Sequence, residues 1–358
     1  MKKILRLLVY FILLSIAPLS AFLLIPASVG YQITERYALT AGQPDVGVHL
    51  AVMVPKSGPY QTVENVSVDW PGNEIRESLE SVEVIKLNGV TGDDGTLEAI
   101  LTYEVSLRQG KARWDAPVSD EHLAPEREIE SDAPLLVTKA EEIGGDPSRK
   151  SAYQIYQFTA QHISWPTGVV TGGNQSALTA YETGIGVCGE HANLMTALCR
   201  ASGIPAKSIS GLFLPPLLPP YMTRTRTWSH PGGAHAWVEI YAEDGWEMVD
   251  PTRATNSPLD RLLFGRIFGQ HLSYGDKAQQ DRVHNGMMAW GESRGEMTGA
   301  MSAPLKFVAV VEEENATISP MASVKKRQDV RWFTGIGTYI ALLVAFSLLE
   351  RHYRGAKE

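Results

Sequence analysis

Two uncharged apolar runs, one at each end, constrain the folding of this chain more than any other feature of its sequence. Residues 7–29 and residues 332–349 contain no Asp, Glu, Lys or Arg and are rich in apolar side chains. The runs are 23 and 18 residues long, and a helix of about 20 apolar residues crosses the ~30 Å hydrocarbon core of a membrane. We therefore predict a transmembrane helix or signal anchor in 1–29, and a second transmembrane helix with a short basic tail in 325–358.

Each run has an alternative interpretation. Lys2, Lys3 and Arg6 precede the first run, as in a signal peptide, but the apolar region of a signal peptide is usually ~7–15 residues long, so the length favours a retained anchor. The second run is short enough to be a buried core helix, whereas Trp332 at its boundary and its basic flanks favour a membrane span. Three basic residues precede the first run and only Arg36 follows closely, which predicts a protein of the cell membrane whose body lies outside the cytoplasm.

The body between the runs is long enough for two domains, since the chain has 358 residues of which 44% are hydrophobic. Residues 30–132 predict a small β-sandwich-like domain, because apolar and polar residues alternate through 97–107. Residues 133–324 predict an α+β domain, in which helical spacing gives way to strand-like alternation. The net charge is −8 and both ends are basic, so the body is strongly acidic and we expect no nucleic-acid partner.

The second domain is predicted to contain three helices followed by strands. Apolar spacing favours helices over 148–163, 178–181 and 188–202, and strands over 206–212, 236–241, 246–249 and 306–311.

The chain has only two cysteines, and both fall in the third predicted helix. Cys188 and Cys199 are eleven residues apart, so at ~1.5 Å rise per residue they lie ~16 Å apart, beyond the ~7 Å Cα separation that a disulfide allows. Cys199 is expected to pack in the core. Cys188 begins the helix, where free N–H groups and the helix dipole stabilise a thiolate. Its position alone leaves nucleophile and structural thiol equally open.

Two further segments place reactive groups within reach of Cys188. His235 begins an apolar strand, and Asp250 ends the next strand along the chain. An antiparallel hairpin through 242–245, packed on the start of the helix, would align thiol, imidazole and carboxylate. A thiol nucleophile requires that order, because the histidine takes the thiol proton and the aspartate orients the ring and stabilises the imidazolium.

Three blocks of sequence surround these residues. They are Thr-Gly-Ile-Gly-Val-Cys-Gly-Glu-His-Ala at 183–192, His-Ala-Trp-Val-Glu at 235–239 and Trp-Glu-Met-Val-Asp-Pro-Thr at 246–252. Their order and spacing resemble the core of the transglutaminase-like superfamily over about 150–255, with a weaker similarity through 265–276. The resemblance implies a papain-like α+β fold, in which a helix bearing the cysteine packs on antiparallel strands, and a catalytic triad of Cys188, His235 and Asp250.

A carbonyl under attack also needs donors for its developing oxyanion. The backbone N–H of Cys188 is one candidate donor. Trp165 is our candidate for the second, with Gln161 and Asn174 as weaker alternatives, and Trp165 can equally be read as a packed core aromatic. The chain departs from the family pattern at His191, where an aromatic residue is common, and in the Pro-rich segment 214–220, which we interpret as a rim of the cleft. These departures leave the triad residues in place and affect the substrate preference that the resemblance implies.

The histidines allow other interpretations. Cys188 and His191 have C-x-x-H spacing, and His230 and His235 lie five apart, as zinc ligands can. Without a second close ligand pair to support such a site, we expect no metal and no cofactor. His230 is also an alternative base, but it falls in a predicted loop. The six remaining histidines suggest no site; they are His49, His122, His162, His271, His284 and His352.

The sequence therefore predicts a membrane-anchored cysteine enzyme that acts on protein or peptide carboxamide or amide groups through a thioester, by hydrolysis (protease or amidase) or by transamidation (protein-glutamine acyltransferase). Its expected partners are a protein or peptide substrate and the membrane. The alternative is a catalytically silent transglutaminase-like module that tethers a partner at the membrane surface.

Overall fold

The computed structural model describes residues 28–79, 81–111, 113–166, 175–214, 225–228, 233–254, 260–295, 297–299, 306–313 and 315–326. The predicted helix at 332–349 and almost all of the run at 7–29 lie outside these residues. Ser28 and Val29, which we had assigned to the N-terminal helix, instead begin a strand and pair with Arg108 and Leu107. Among the described residues, no helix is both long and apolar enough to cross a membrane.

Sixteen strands, six α-helices and two short 3-10 helices (Asp120–His122 and Pro251–Arg253) are found in the described residues. The strands are β1 (Ser28–Thr40), β2 (Gly47–Pro55), β3 (Gln61–Asp69), β4 (Asn73–Ser78), β5 (Val82–Val90), β6 (Thr96–Lys111), β7 (Arg113–Trp114), β8 (Ala206–Phe213), β9 (Thr225–Trp228), β10 (Ala234–Ala242), β11 (Gly245–Val249), β12 (Arg266–Phe268), β13 (His271–Asp276), β14 (Met297–Gly299), β15 (Phe307–Val311) and β16 (Thr317–Lys326). The helices are α1 (Pro134–Ile143), α2 (Arg149–His162), α3 (Ala177–Thr183), α4 (Cys188–Ala201), α5 (Asp260–Leu263) and α6 (Lys277–Glu292).

Two antiparallel sheets share the larger hydrophobic core. One has the strand order β12-β6-β1-β16-β9, with β3 also paired to β6, and the other has the order β14-β15-β2-β5-β4. The alternation that predicts a strand at 97–107 is present in β6, whose alternate residues are buried. Tyr37 of β1 packs edge-on against Phe307 of β15, with ring centroids 5.3 Å apart. The β-rich part of the chain is therefore a sandwich with its core between the two sheets.

The third sheet has the strand order β13-β8-β10-β11-β7 and shares a core with helices α1 to α4. Its face formed by alternate residues of β10 (Ala236, Val238 and Ile240) packs with α4 in a second core. Nearly every residue of α4 is buried, so tertiary packing fixes this helix on all sides. The result is an α+β arrangement, with the start of α4 and the ends of β10 and β11 in one region.

The C-terminal strands return to the sandwich. β15 pairs with β2, and β16 pairs with β1 over ten residues. The boundaries at 132/133 and 324/325, which assign these strands to the second domain, stay a prediction.

Candidate active site

The start of α4 is held by a buried carboxylate. Glu190, in the first turn, accepts hydrogen bonds from the backbone N–H of Val187 at 2.7 Å and of Gln175 at 2.6 Å. An acidic residue that accepts from the residue before a helix satisfies an N–H group that the helix leaves unpaired. This contact fixes the point at which the helix begins, and that point is Cys188.

The glycines before Cys188 have two separate structural reasons. Gly184 ends α3 in the left-handed conformation, with φ of +63°, where a side chain is unfavourable. At Gly186 an added Cβ would lie 2.3 Å from the Cβ of Glu190, so only glycine allows the chain to pass so close to the helix. The Gly-Ile-Gly sequence thus serves to position the cysteine.

The two cysteines differ as predicted. Cys199 is completely buried in the core of α4, and burial raises the pKa of its thiol to about 12. Cys188 is only partly buried and lies within hydrogen-bonding reach of the His235 side chain. Both thiols are free, so no disulfide links them.

The β10–β11 hairpin brings His235 to Asp250. The strands are antiparallel, with Ala242 opposite Gly245 and Val238 opposite Val249. His235 Nε2 lies 2.9 Å from Asp250 Oδ2. Because Nε2 is taken by the carboxylate, Nδ1 is the ring nitrogen left for the Cys188 thiol. The three residues predicted from the sequence therefore meet as thiol, imidazole and carboxylate.

Burial and hydrogen bonding act in opposite directions on this pair. Burial lowers the pKa of His235, but its hydrogen bonds to Asp250 and Cys188 outweigh burial and raise the pKa to about 9. Burial raises the pKa of Asp250, but hydrogen bonds from His235 and His271 outweigh it and hold that pKa well below its usual range. At neutral pH the arrangement holds a protonated imidazole beside an ionised carboxylate.

His271, for which the sequence suggested no site, is part of the same arrangement. This residue begins β13 and is fully buried, and its Nε2 lies 3.0 Å from the same Oδ2 of Asp250. Burial lowers the pKa of His271, so at neutral pH it is an uncharged donor. The only sequence signal was the weak family similarity through 265–276, which ends in this strand.

Trp165 follows Ser164, which forms a short parallel bridge with Ile185 just before α4. It is 57% exposed and stacks on the ring of His191, with centroids 5.9 Å apart. It is therefore a surface aromatic that packs against the first turn of α4, and not a core residue. Of the alternative donors, Gln161 is exposed in the last turn of α2, and Asn174 lies outside the described residues.

The zinc interpretation fits the structure poorly. His191 Nδ1 lies 2.8 Å from the backbone carbonyl of Val187, so a hydrogen bond within the helix start takes up this ring nitrogen. His230 lies outside the described residues. A different set, His235, Asp250 and His271, offers three potential ligand atoms within 4.8 Å of one another. Both histidine–aspartate contacts in that set have hydrogen-bond distances, so we interpret it as a hydrogen-bonded network.

The helix with Cys188 and the hairpin with His235 and Asp250 fall within one family match. Residues 137–251 match the model of the transglutaminase-like superfamily. The match covers 115 of the chain's 358 residues, and over this segment the chain resembles that superfamily. Over 73 residues the chain is 38% identical to a protein-glutamine gamma-glutamyltransferase of Pseudomonas aeruginosa; the match covers 20% of this chain and 10% of that relative. The chain thus matches only about a tenth of the length of that relative.

Solved structures that align with this chain are distant in sequence. A candidate cysteine protease from Cytophaga hutchinsonii aligns with a TM-score of 0.49 and 16% identity, over 84% of this chain and 99% of its own. The periplasmic domain of TgpA from Pseudomonas aeruginosa, bound to ethylmercury, aligns with a TM-score of 0.32 and 17% identity, over 68% of this chain and 95% of its own.

Proposed function

We propose that this chain is a cysteine acyl-transfer enzyme that attacks the side-chain carboxamide of glutamine in a protein or peptide, with Cys188, His235 and Asp250 as its catalytic residues. The observation that carries the proposal is the alignment of these three groups at the start of α4, with His235 bonded to Asp250 at 2.9 Å and in reach of the thiol. The 38% identity to a protein-glutamine gamma-glutamyltransferase over 73 residues supports glutamine as the acyl donor.

In the first half of the reaction, His235 holds the proton of the Cys188 thiol, and the thiolate attacks the carboxamide carbon. The electron pair of the C=O bond moves to oxygen, and we assign its stabilisation to the Cys188 N–H and to Trp165. His235 then donates its proton to the nitrogen, the C–N bond breaks, and ammonia leaves. The glutamine side chain is now a thioester on Cys188. Asp250 keeps the imidazole oriented throughout.

In the second half, a nucleophile attacks the thioester carbon while His235 accepts its proton. Water gives glutamate, and a lysine amine gives an isopeptide cross-link; in both cases the thiolate of Cys188 is the leaving group. Which acceptor predominates depends on how far the cleft excludes water. We favour water, because Trp165, which stacks on His191 in the first turn of α4, is more than half exposed.

The test is an assay of ammonia release from a glutamine peptide, with and without a fluorescent primary amine. The expected result is ammonia release by the full-length chain in both conditions, with loss of all release in Cys188→Ala. Cys199→Ala is the matched control, since Cys199 is buried in the same helix, and we expect it to retain release. Ammonia release that persists in Cys188→Ala would refute the proposed nucleophile.

We further propose that the apolar runs at 7–29 and 332–349 anchor the chain in the cell membrane, with the transglutaminase-like domain outside the cytoplasm. The basic residues Lys2, Lys3 and Arg6 before the first run support this orientation. Reporter fusions after residue 254 and at the C-terminus test it. A reporter that is active only in the cytoplasm would, if active after residue 254, show that the domain lies inside the cytoplasm and contradict the proposed orientation.

A further inference from the structure

Asp250 is held at both carboxylate oxygens without help from His235. Its Oδ1 accepts hydrogen bonds from the backbone N–H of Thr252 at 3.0 Å and from the Thr252 hydroxyl at 2.6 Å. Its Oδ2 accepts from His271 at 3.0 Å as well as from His235 at 2.9 Å. The orientation of the carboxylate is therefore set by Thr252 on one side and His271 on the other.

The second histidine has a defined tautomer. An ionised carboxylate only accepts hydrogen bonds, so neutral His271 carries its proton on Nε2 and leaves Nδ1 bare. Nδ1 is buried and has no hydrogen-bond partner among the described residues. An unsatisfied buried nitrogen destabilises a fold, and an apolar side chain of similar size would avoid that penalty. Folding alone therefore does not account for a histidine at this position.

The surroundings keep His271 in place. It pairs with Phe213 in the β13–β8 register, and the Phe213 ring lies 5.1 Å from the ring of His235 and 5.2 Å from that of His271. Trp237, on the strand of His235, packs edge-on against His271 at 4.9 Å. These two aromatic rings hold both imidazoles against the same carboxylate oxygen.

We propose that His271 is a positioning residue, which fixes the Asp250 carboxylate so that Oδ2 meets the proton on Nε2 of His235. The inference rests on the proposed function in one respect only, that the Cys188–His235 pair is the reacting pair. The charged and titratable groups that act on His271 are Asp250, His235 and Arg253.

Two variants separate the hydrogen bond from the rest of the side chain. His271→Leu removes the donor, and a neighbouring cavity of about 160 Å³ leaves room for the branched side chain. His271→Gln keeps an N–H in reach of Asp250 but does not titrate. If His271 acts by donating this hydrogen bond, the glutamine variant retains its effect and the leucine variant loses it.

The readout needs no substrate. The full-length chain is alkylated with iodoacetate and with iodoacetamide across pH 5–10 in the presence of EDTA, and the ratio of the two rate constants is measured. Imidazolium at His235 attracts the negative charge of iodoacetate and has no such effect on neutral iodoacetamide, so the ratio falls where His235 loses its proton. Cys199 does not interfere, because it is buried.

In the wild type and in His271→Gln, the ratio is expected to fall near pH 9. In His271→Leu the fall is expected at a pH lower by about one unit or more, because the misaligned carboxylate no longer stabilises the imidazolium fully. In His271→Leu, kcat for a glutamine peptide should fall on the order of ten- to a hundred-fold, with little change in KM.

Two outcomes overturn the proposal. If the ratio of rate constants in His271→Leu falls at the same pH as in the wild type, Asp250 keeps its orientation without His271. If the ratio in His271→Leu falls at a higher pH than in the wild type, His271 only withdraws charge from Asp250. Thermal melts of each variant are recorded beside these measurements, and His271→Gln keeps the question answerable should the leucine variant not fold. If the glutamine peptide is never turned over, the proposed function fails, while the alkylation ratio still decides the role of His271.

Discussion

The raised pKa of His235 predicts how the stability of the protein depends on pH. The pKa is about 9 in the folded chain, against an ordinary value of 6.5. The difference is about 2.5 units, and at 1.36 kcal/mol per unit the His235 imidazolium contributes about 3 kcal/mol to the free energy of unfolding. Because the folded pKa is the higher one, this contribution is fully present below pH 6.5 and is lost as the pH rises through 9. His235→Gln should remove it, while leaving an N–H that can still bond to Asp250.

The measurement is urea unfolding of the wild type and of His235→Gln, followed by tryptophan fluorescence at intervals from pH 6 to pH 10. The difference between the two free energies of unfolding isolates His235, because all other titrating groups are common to both proteins. We expect a difference that shrinks by about 3 kcal/mol between pH 6 and pH 10. A difference that is constant over this range, or that grows with pH, would refute the assignment of a raised pKa and with it the ionic pairing at the site.

Three further substitutions test the start of α4 and its surroundings. Glu190→Gln should lower the free energy of unfolding by about 1.5–3 kcal/mol, since one of the two backbone N–H groups that bond to Glu190 loses its charged acceptor. The exposed Glu182→Gln is the control, and equal urea midpoints for Glu190→Gln and the wild type would contradict the capping role. Gly186→Ala should destabilise the protein and slow iodoacetamide labelling of Cys188, because the added Cβ collides with the Glu190 side chain. Gly286→Ala is the control: the space around this glycine is open, so the substitution should stabilise α6 by up to about 1 kcal/mol in thermal melts. Trp165→Phe should lower kcat by about 10²–10³ with little change in KM if the indole N–H serves the oxyanion, and an unchanged kcat would exclude that role.

The helix and strands of the site could be predicted because their signals are local. Helical spacing through 188–202, stopped by Gly203 and Pro205, gives α4 within one residue of its observed end. The strands β10 and β11 follow from their apolar runs and from the short segment between them. Once these elements are in place, a hairpin on a helix leaves little freedom in where its first and last residues lie. Local pattern thus predicts each element, whereas the packing of the hairpin on the start of the helix was supported only by the resemblance to the transglutaminase-like superfamily.

The closing of the sandwich could not be predicted in the same way. β15 pairs with β2 across more than 250 residues of sequence, and nothing in either strand specifies its partner. His271 was missed for a related reason. Its position depends on the register of β13 with β8, where a bulge follows Ser273, and such a register reflects the whole sheet. A buried histidine in a short strand has no periodic signature of its own, so only the three-dimensional contact with Asp250 distinguishes it from a core residue.

The geometry of the site is finally set by a turn that has no chemical part in it. The two residues of the β10–β11 loop, Glu243 and Asp244, have φ of +49° and +65°, as a two-residue hairpin loop of type I′ requires. Neither is glycine, so the loop is strained, but Arg113 binds both the carbonyl and the carboxylate of Glu243 and offsets part of that strain. A slip of one residue in this hairpin would turn the end of β11 to the opposite face of the sheet. The hydrogen bond between His235 and Asp250 therefore depends on a strained turn at the far end of the two strands, and on the arginine that holds it.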